Sequence, residues 1–162
     1  MESIEAQVNY AVLLERFEEA VSGLYKEYAR LFPGHRVWWQ HLAAEEIQHA
    51  EWMRTLRARI QDGSVRLSER QTATTGQILE ALDLVAAEVE RATQGDMTLA
   101  MAVSAAAQLE RKIVERDWFR FFDADSPELK RVFQSLGAET AKHAEFLQQM
   151  SQEQATKARE SA

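Results

Sequence analysis

The sequence predicts an all-α protein in which two antiparallel helical hairpins pack as a four-helix bundle and a shorter helix lies in the connection between them. Three observations lead there. The 162-residue chain is rich in alanine, leucine, glutamate and arginine and holds only two prolines and six glycines, a composition that favours helix. Apolar residues recur at helical spacing over four long stretches. The breaks between those stretches run short, long, short, which sets the connectivity.

The first helix is expected from about Glu5 to Leu31, ending before Pro33-Gly34, and the second from about His35 to Ile60, ending at Asp62-Gly63. The stretch from Gly63 to Thr75 reads as polar and irregular. A shorter amphipathic helix follows from about Gln77 to Ala92, with Ile78, Leu82, Val85 and Val89 on one face, and Gln94-Gly95-Asp96 breaks it. The next long helix runs from about Met97 to Phe122. Asp123 to Pro127 reads as a turn in which Ser126 caps and Pro127 opens the last helix, which runs to about Met150. The main domain is thus 1–150, with a crossover segment 62–95, and the polar tail 151–162 either frays or extends the last helix. The two short connections make hairpins, and the long one can recross the bundle.

The halves resemble each other. Phe17-Glu18 is echoed by Leu109-Glu110 at an offset of 92, and Ala44 to Glu51 by Ala138 to Glu145 at an offset of 94. An internal duplication would relate equivalent residues by a pseudo-twofold axis.

Composition excludes several function classes. The absence of cysteine removes disulfides, zinc ribbons and thiolate-bound iron. A net charge of −7 argues against nucleic acid as a partner. No apolar run approaches the ~20 residues of a membrane span, and the N-terminus lacks a signal-peptide layout. The expectation is a soluble, cytoplasmic protein with no membrane partner. A homodimer is the default assembly.

Charged residues stand where a core should be. The apolar stripe of the second helix reads Trp39, Leu42, Glu46, His49, Met53, Leu56, Ile60, in steps of three and four along one face. In the first helix Glu18 shares a face with Leu14, Val21, Tyr25 and Tyr28. In the fourth, Glu110 lies among Val103, Ala106, Ala107, Ile113 and Val114. In the last, Glu139 and His143 share a stripe with Leu136, Phe146 and Met150. Glu18 and Glu46 lie equally far from the first turn, and Glu110 and Glu139 almost equally far from the last, so all six meet at one height. Four close carboxylates cannot all stay ionised without compensation. Two divalent cations would supply it, and mixed carboxylate and imidazole ligation suits iron or manganese, with zinc a third option.

With these residues in place, a resemblance becomes specific. Inward Glu from two helices and Glu-x-x-His from the others is the di-iron pattern of ferritin-like bundles. Over nearly its whole length the chain resembles the rubrerythrin branch, through Phe17-Glu18 with Tyr25, Leu109-Glu110, and Glu45-Glu46-Ile47-Gln48-His49-Ala50-Glu51. The resemblance implies a ferritin-like four-helix bundle holding two iron ions. It implies Glu46 and Glu139 as bridging carboxylates, Glu18 and Glu110 as terminal ones, and His49 and His143 as one imidazole per metal. It implies peroxide or dioxygen reduction, or ferrous iron oxidation. One departure is plain: Thr140 stands where Glu-x-x-His needs a Glu, and Glu139 precedes His143 by four residues. With no cysteine-ligated iron centre, electrons would come from a separate donor protein. The alternatives are iron storage or delivery without turnover, and a metal-free helical interaction module.

The other notable residues have ordinary readings. His35 and His41 lie off the stripe, and Glu51 and Glu145 point away from it. Glu45 is a spare carboxylate for the outer surroundings of the site or the surface. Tyr25 and Trp118 read as core and Asp117 as a salt-bridge partner. Trp38 and Trp39 read as core packing or a subunit contact.

Overall fold

The computed structural model describes residues 3–67, 75–116, 122–124 and 127–161. It is all-helical apart from one short strand pair. The helices are α1 (Ile4–Leu31), α2 (Arg36–Gln61), α3 (Thr75–Gln94), α4 (Leu99–Arg116) and α5 (Pro127–Glu160). At 1.5 Å per residue, the 28-residue α1 is about 42 Å long.

Local signals set most of these boundaries. Ser3 caps α1, its hydroxyl accepting from the Ala6 amide at 3.2 Å. A single 3₁₀ turn at Pro33–His35 separates α1 from α2. Such a tight link folds the pair back on itself, and Ser22, fully buried on α1, donates to the Ala43 carbonyl of α2 at 2.8 Å. Gly63 and Gly95 follow the ends of α2 and α3 with φ of +80° and +77°, a conformation that favours glycine.

One expectation about boundaries changes. The stretch after Gly63 and the turn before Pro127 are not wholly irregular. Val65–Leu67 (β1) pairs antiparallel with Phe122–Ala124 (β2), in register Val65 to Ala124 and Leu67 to Phe122. Phe122, expected at the end of a helix, is therefore a strand residue. Gln7 of α1 anchors β1 by accepting from the Leu67 amide at 2.8 Å. At the C-terminus α5 continues to Glu160, so of the two courses expected for the polar tail it takes the helical extension. The readings for Ser126, Asp117 and Trp118 lie outside the described residues.

α1 packs along α2 and α3, and α4 along α5. The core runs between these layers. Leu14, Phe17, Val21 and Tyr25 of α1 meet Trp39, Met53 and Leu56 of α2, with Ile78 and Val85 from α3 and Val103 and Ala106 from α4. Trp39 is wholly buried and stacks edge-on to Tyr28, with ring centroids 4.8 Å apart, and Trp38 lies against Trp39 and Phe146. These indoles pack within the chain. Among the described residues no helix is long and apolar enough to cross a membrane.

Candidate metal centre

The stripe expected on α2 is the observed one: Trp39, Leu42, Glu46, His49, Met53, Leu56 and Ile60 are all buried. Glu18 of α1 and Glu110 of α4 are each 1% exposed. The stripe on α5 is rotated from the expectation. Its buried residues are Phe133, Leu136, Thr140, His143 and Leu147, while Phe146 is exposed. Steps of three and four through Leu136 and His143 are equally met by Thr140 and Leu147, so helical spacing alone does not choose between the two faces.

Five of the six expected residues therefore converge. Glu18, Glu46 and His49 form one group, and Glu46, Glu110 and His143 another; within each, one ligating atom per residue lies within 4.8 Å of the others. Glu46 belongs to both. Its Oε2 lies 3.0 Å from His49 Nδ1 and its Oε1 2.9 Å from His143 Nδ1. Glu18 stands 3.9 Å from His49 Nδ1 and Glu110 4.0 Å from His143 Nδ1. Tyr25, wholly buried on α1, donates its hydroxyl to Glu110 Oε1 at 2.7 Å and so ties α1 to α4.

Glu139 is placed differently from the expectation of a bridging carboxylate. It stands outside both groups, and its Oε2 is 3.1 Å from the far nitrogen of His49, Nε2. The inward position equivalent to Glu46 is filled by Thr140, whose hydroxyl donates to the Leu136 carbonyl at 2.9 Å. Glu45 mirrors Glu139 and lies 2.9 Å from His143 Nε2. This contact was legible in the repeat offset of 94, which pairs Glu45 with Glu139 and His49 with His143. Beyond Glu45, the exposed His41 reaches Glu45 Oε1 at 3.3 Å. His35, Glu51 and Glu145 are exposed, as their helix positions suggested.

The site's electrostatics follow from burial and neighbours. Burial pushes the Glu18 carboxyl up to about 8, with His49 opposing and the charge of Glu46 assisting. Glu110 is raised by burial and then by Glu46, against His143 and Tyr25. Burial also works to raise Glu46, but the imidazoles of His143 and His49, at 2.9 and 3.0 Å, outweigh it and hold the group at about 2. For His49, burial favours the neutral ring, and the carboxylates of Glu18 and Glu46 overcome it to reach about 11. For His143 the same opposition, won chiefly by Glu46, gives about 9. Protons thus do the neutralising that a cation can also do.

The buried Glu and His groups could hold a metal ion. One detail of their fit is informative: Glu46 Oε1 and His143 Nδ1 are only 2.9 Å apart, yet neither is in hydrogen-bonding geometry with a partner. The pair is a close charge contact off the hydrogen-bonding direction, so an oxygen lone pair and a ring nitrogen both face a space in which a cation could take them up. No known family model matches the chain, and no curated protein or solved structure matches it.

Proposed function

We propose that this chain is a di-iron carboxylate protein of rubrerythrin-like character, built on a ferritin-like bundle, that reduces peroxide or dioxygen or oxidises ferrous iron at the internal site. The observation that carries this reading is the position of Glu46, whose two oxygens face the Nδ1 atoms of two imidazoles and join two buried three-residue groups. Such a donor set suits iron or manganese, with zinc a third choice. Two irons held there would supply electrons to a bound oxidant, or take them from further ferrous iron.

The chain's own residues have separable tasks. Glu18 with His49 would hold one cation and Glu110 with His143 the other, with Glu46 shared. Tyr25 fixes the carboxylate of Glu110 by its hydrogen bond. Leu14 and Val21, three to four residues from Glu18, Met53, four from His49, and Ala106, four from Glu110, are wholly or almost wholly buried, so the groups sit among apolar neighbours on their own helices. Without cysteine the chain offers no thiolate iron centre, so a separate protein would donate electrons.

The test is anaerobic loading with ferrous iron followed by elemental analysis and mixing with peroxide. About two irons per chain, oxidised on mixing, is the expected result. A large particle holding many more irons would shift the reading to storage. A metal-free helical module is favoured by one observation, that Glu46 already pairs with two neighbouring imidazoles, His49 at 3.0 Å and His143 at 2.9 Å; a chain that takes up no iron, manganese or zinc would establish it in place of the di-iron reading.

A further inference from the structure

Resting on the dinuclear reading above, we propose that Glu45 and Glu139 are positioning residues rather than ligands, each holding one buried imidazole so that its Nδ1 faces the interior. The contacts are reciprocal between the hairpins. Glu139 of α5 reaches His49 of α2 at Nε2, 3.1 Å away, and Glu45 of α2 reaches His143 of α5 at Nε2, 2.9 Å away. In each ring the opposite nitrogen, Nδ1, faces Glu46.

The ring chemistry gives these contacts a direction. A carboxylate only accepts, so the nitrogen beside it must carry the hydrogen. A cation needs a nitrogen lone pair, and a ring bound through one nitrogen keeps its proton on the other. In the metal-free chain the same rule puts a proton on Nδ1 beside Glu46; a cation would take the place of that proton, while Nε2–H stays on Glu45 or Glu139. An outer carboxylate also stops the ring from turning and raises its basicity.

Symmetry and burial separate Glu139 from the ligands. The offset of 94 carries Glu45 onto Glu139 and His49 onto His143, so the outer pairs obey one twofold relation. Among the carboxylates and imidazoles of α2 and α5 that relation breaks at the inner carboxylate, where Glu46 meets Thr140. Glu139 and Glu45 have side chains 42% and 36% exposed, against 1–3% for Glu18, Glu46 and Glu110. Two half-exposed carboxylates thus brace a buried centre from outside, and each links α2 to α5.

The experiment is a titration of the full chain with cobalt(II), whose visible absorption reports both how many ions bind and how tightly. Wild type is expected to bind about two per chain. Glu45→Gln and Glu139→Gln should each keep that count and weaken one position about 10–100-fold, and the double variant should weaken both. Glu51→Gln, an exposed carboxylate on the same helix as Glu45, should change neither. If Glu139→Gln lowers the count to one while Glu45→Gln does not, Glu139 is a ligand and the proposal is overturned, with the metal reading intact. Unaltered affinity in both variants overturns it as well. A wild-type chain that binds no cobalt removes the metal reading and this inference together.

Discussion

Glu46 Oε1 and His143 Nδ1 face each other at 2.9 Å in the interior of the protein, and neither is in hydrogen-bonding geometry with any partner among the described residues. The same carboxylate's Oε2 meets His49 Nδ1 at 3.0 Å. Glu46 is therefore the one charge common to both halves of the centre. Glu46→Gln should act twice. In the metal-free chain it removes the negative charge that faces two buried imidazoles and sets an amide NH2 in place of one oxygen, and should cost about 1–3 kcal/mol. In the presence of metal it should also abolish most of the stabilisation by ligand, which for wild type is about 2.7 kcal/mol at a hundred times Kd. Urea unfolding with and without manganese(II) measures both. Equal gains from metal in the two proteins would place the bound ions elsewhere.

The metal-free protein should prefer mildly acidic pH. Glu18 is raised from 4.5 to about 8, His143 from 6.5 to about 9 and His49 from 6.5 to about 11. Each group binds its proton more tightly when folded, so its contribution is complete below the unfolded pKa and is lost as pH rises through the folded one. Glu46, held near about 2, works oppositely: its contribution is complete above 4.5 and is lost as pH falls toward 2. The site's net contribution should then be greatest near pH 5 and decline toward pH 9. Thermal melts at pH 5, 6.5 and 8 test this directly. Glu18→Gln should flatten the decline between pH 5 and 8, and a variant with the wild-type slope would contradict the assignment.

Metal should reverse that pH dependence. Divalent cations bound at the site would displace the protons on Glu18, Glu110 and the Nδ1 nitrogens and would favour the folded chain alone. The rise in melting temperature on adding manganese(II) is expected to be larger at pH 7.5 than at pH 5. A larger rise at pH 5 would mean that binding does not compete with protons at these groups.

Tyr25→Phe removes the hydroxyl that donates to Glu110 at 2.7 Å and leaves the aromatic packing on Trp39 unchanged. A hydrogen bond to a carboxylate contributes about 1.5–3 kcal/mol, so a loss of that order is expected in denaturant melts. Weaker metal binding should accompany it, because Glu110 loses its anchor to α1. Unchanged stability and affinity together would show that this hydroxyl does not position Glu110.

Trp39→Ala separates packing from the site. Trp39 is wholly buried against Tyr25, Tyr28 and Trp38. Truncating it should cost about 3–5 kcal/mol through lost contacts and a cavity, while the number of metal ions bound per folded chain stays the same. A drop in that number would assign the indole a part in holding the site.

Helix periodicity alone was enough for the inward faces of α1 and α2 and for Val103, Ala106, Glu110 and Ile113 of α4, whereas Val114, expected on that face, is 40% exposed. There apolar residues flank Glu18, Glu46, His49 and Glu110 on both sides, so only one face of each helix can be buried. The repeat between the halves placed His143 at the same level. On α5 the pattern was ambiguous, since Glu139, His143 and Phe146 and Thr140, His143 and Leu147 both recur at helical spacing. Only packing chose the second stripe, because it buries Thr140 and Leu147 and leaves the longer Glu139 and Phe146 side chains at the margin. The strand pair between Val65–Leu67 and Phe122–Ala124 was equally out of reach, as three-residue strands carry almost no periodicity and their pairing joins segments more than fifty residues apart. The sequence by itself determined an all-helical chain and the carboxylates and imidazoles within its core, because burial along a helix is a local, periodic property. The tertiary structure decided which oxygen meets which nitrogen, and that Glu139 braces His49 from outside, because those contacts depend on how two hairpins rotate against each other.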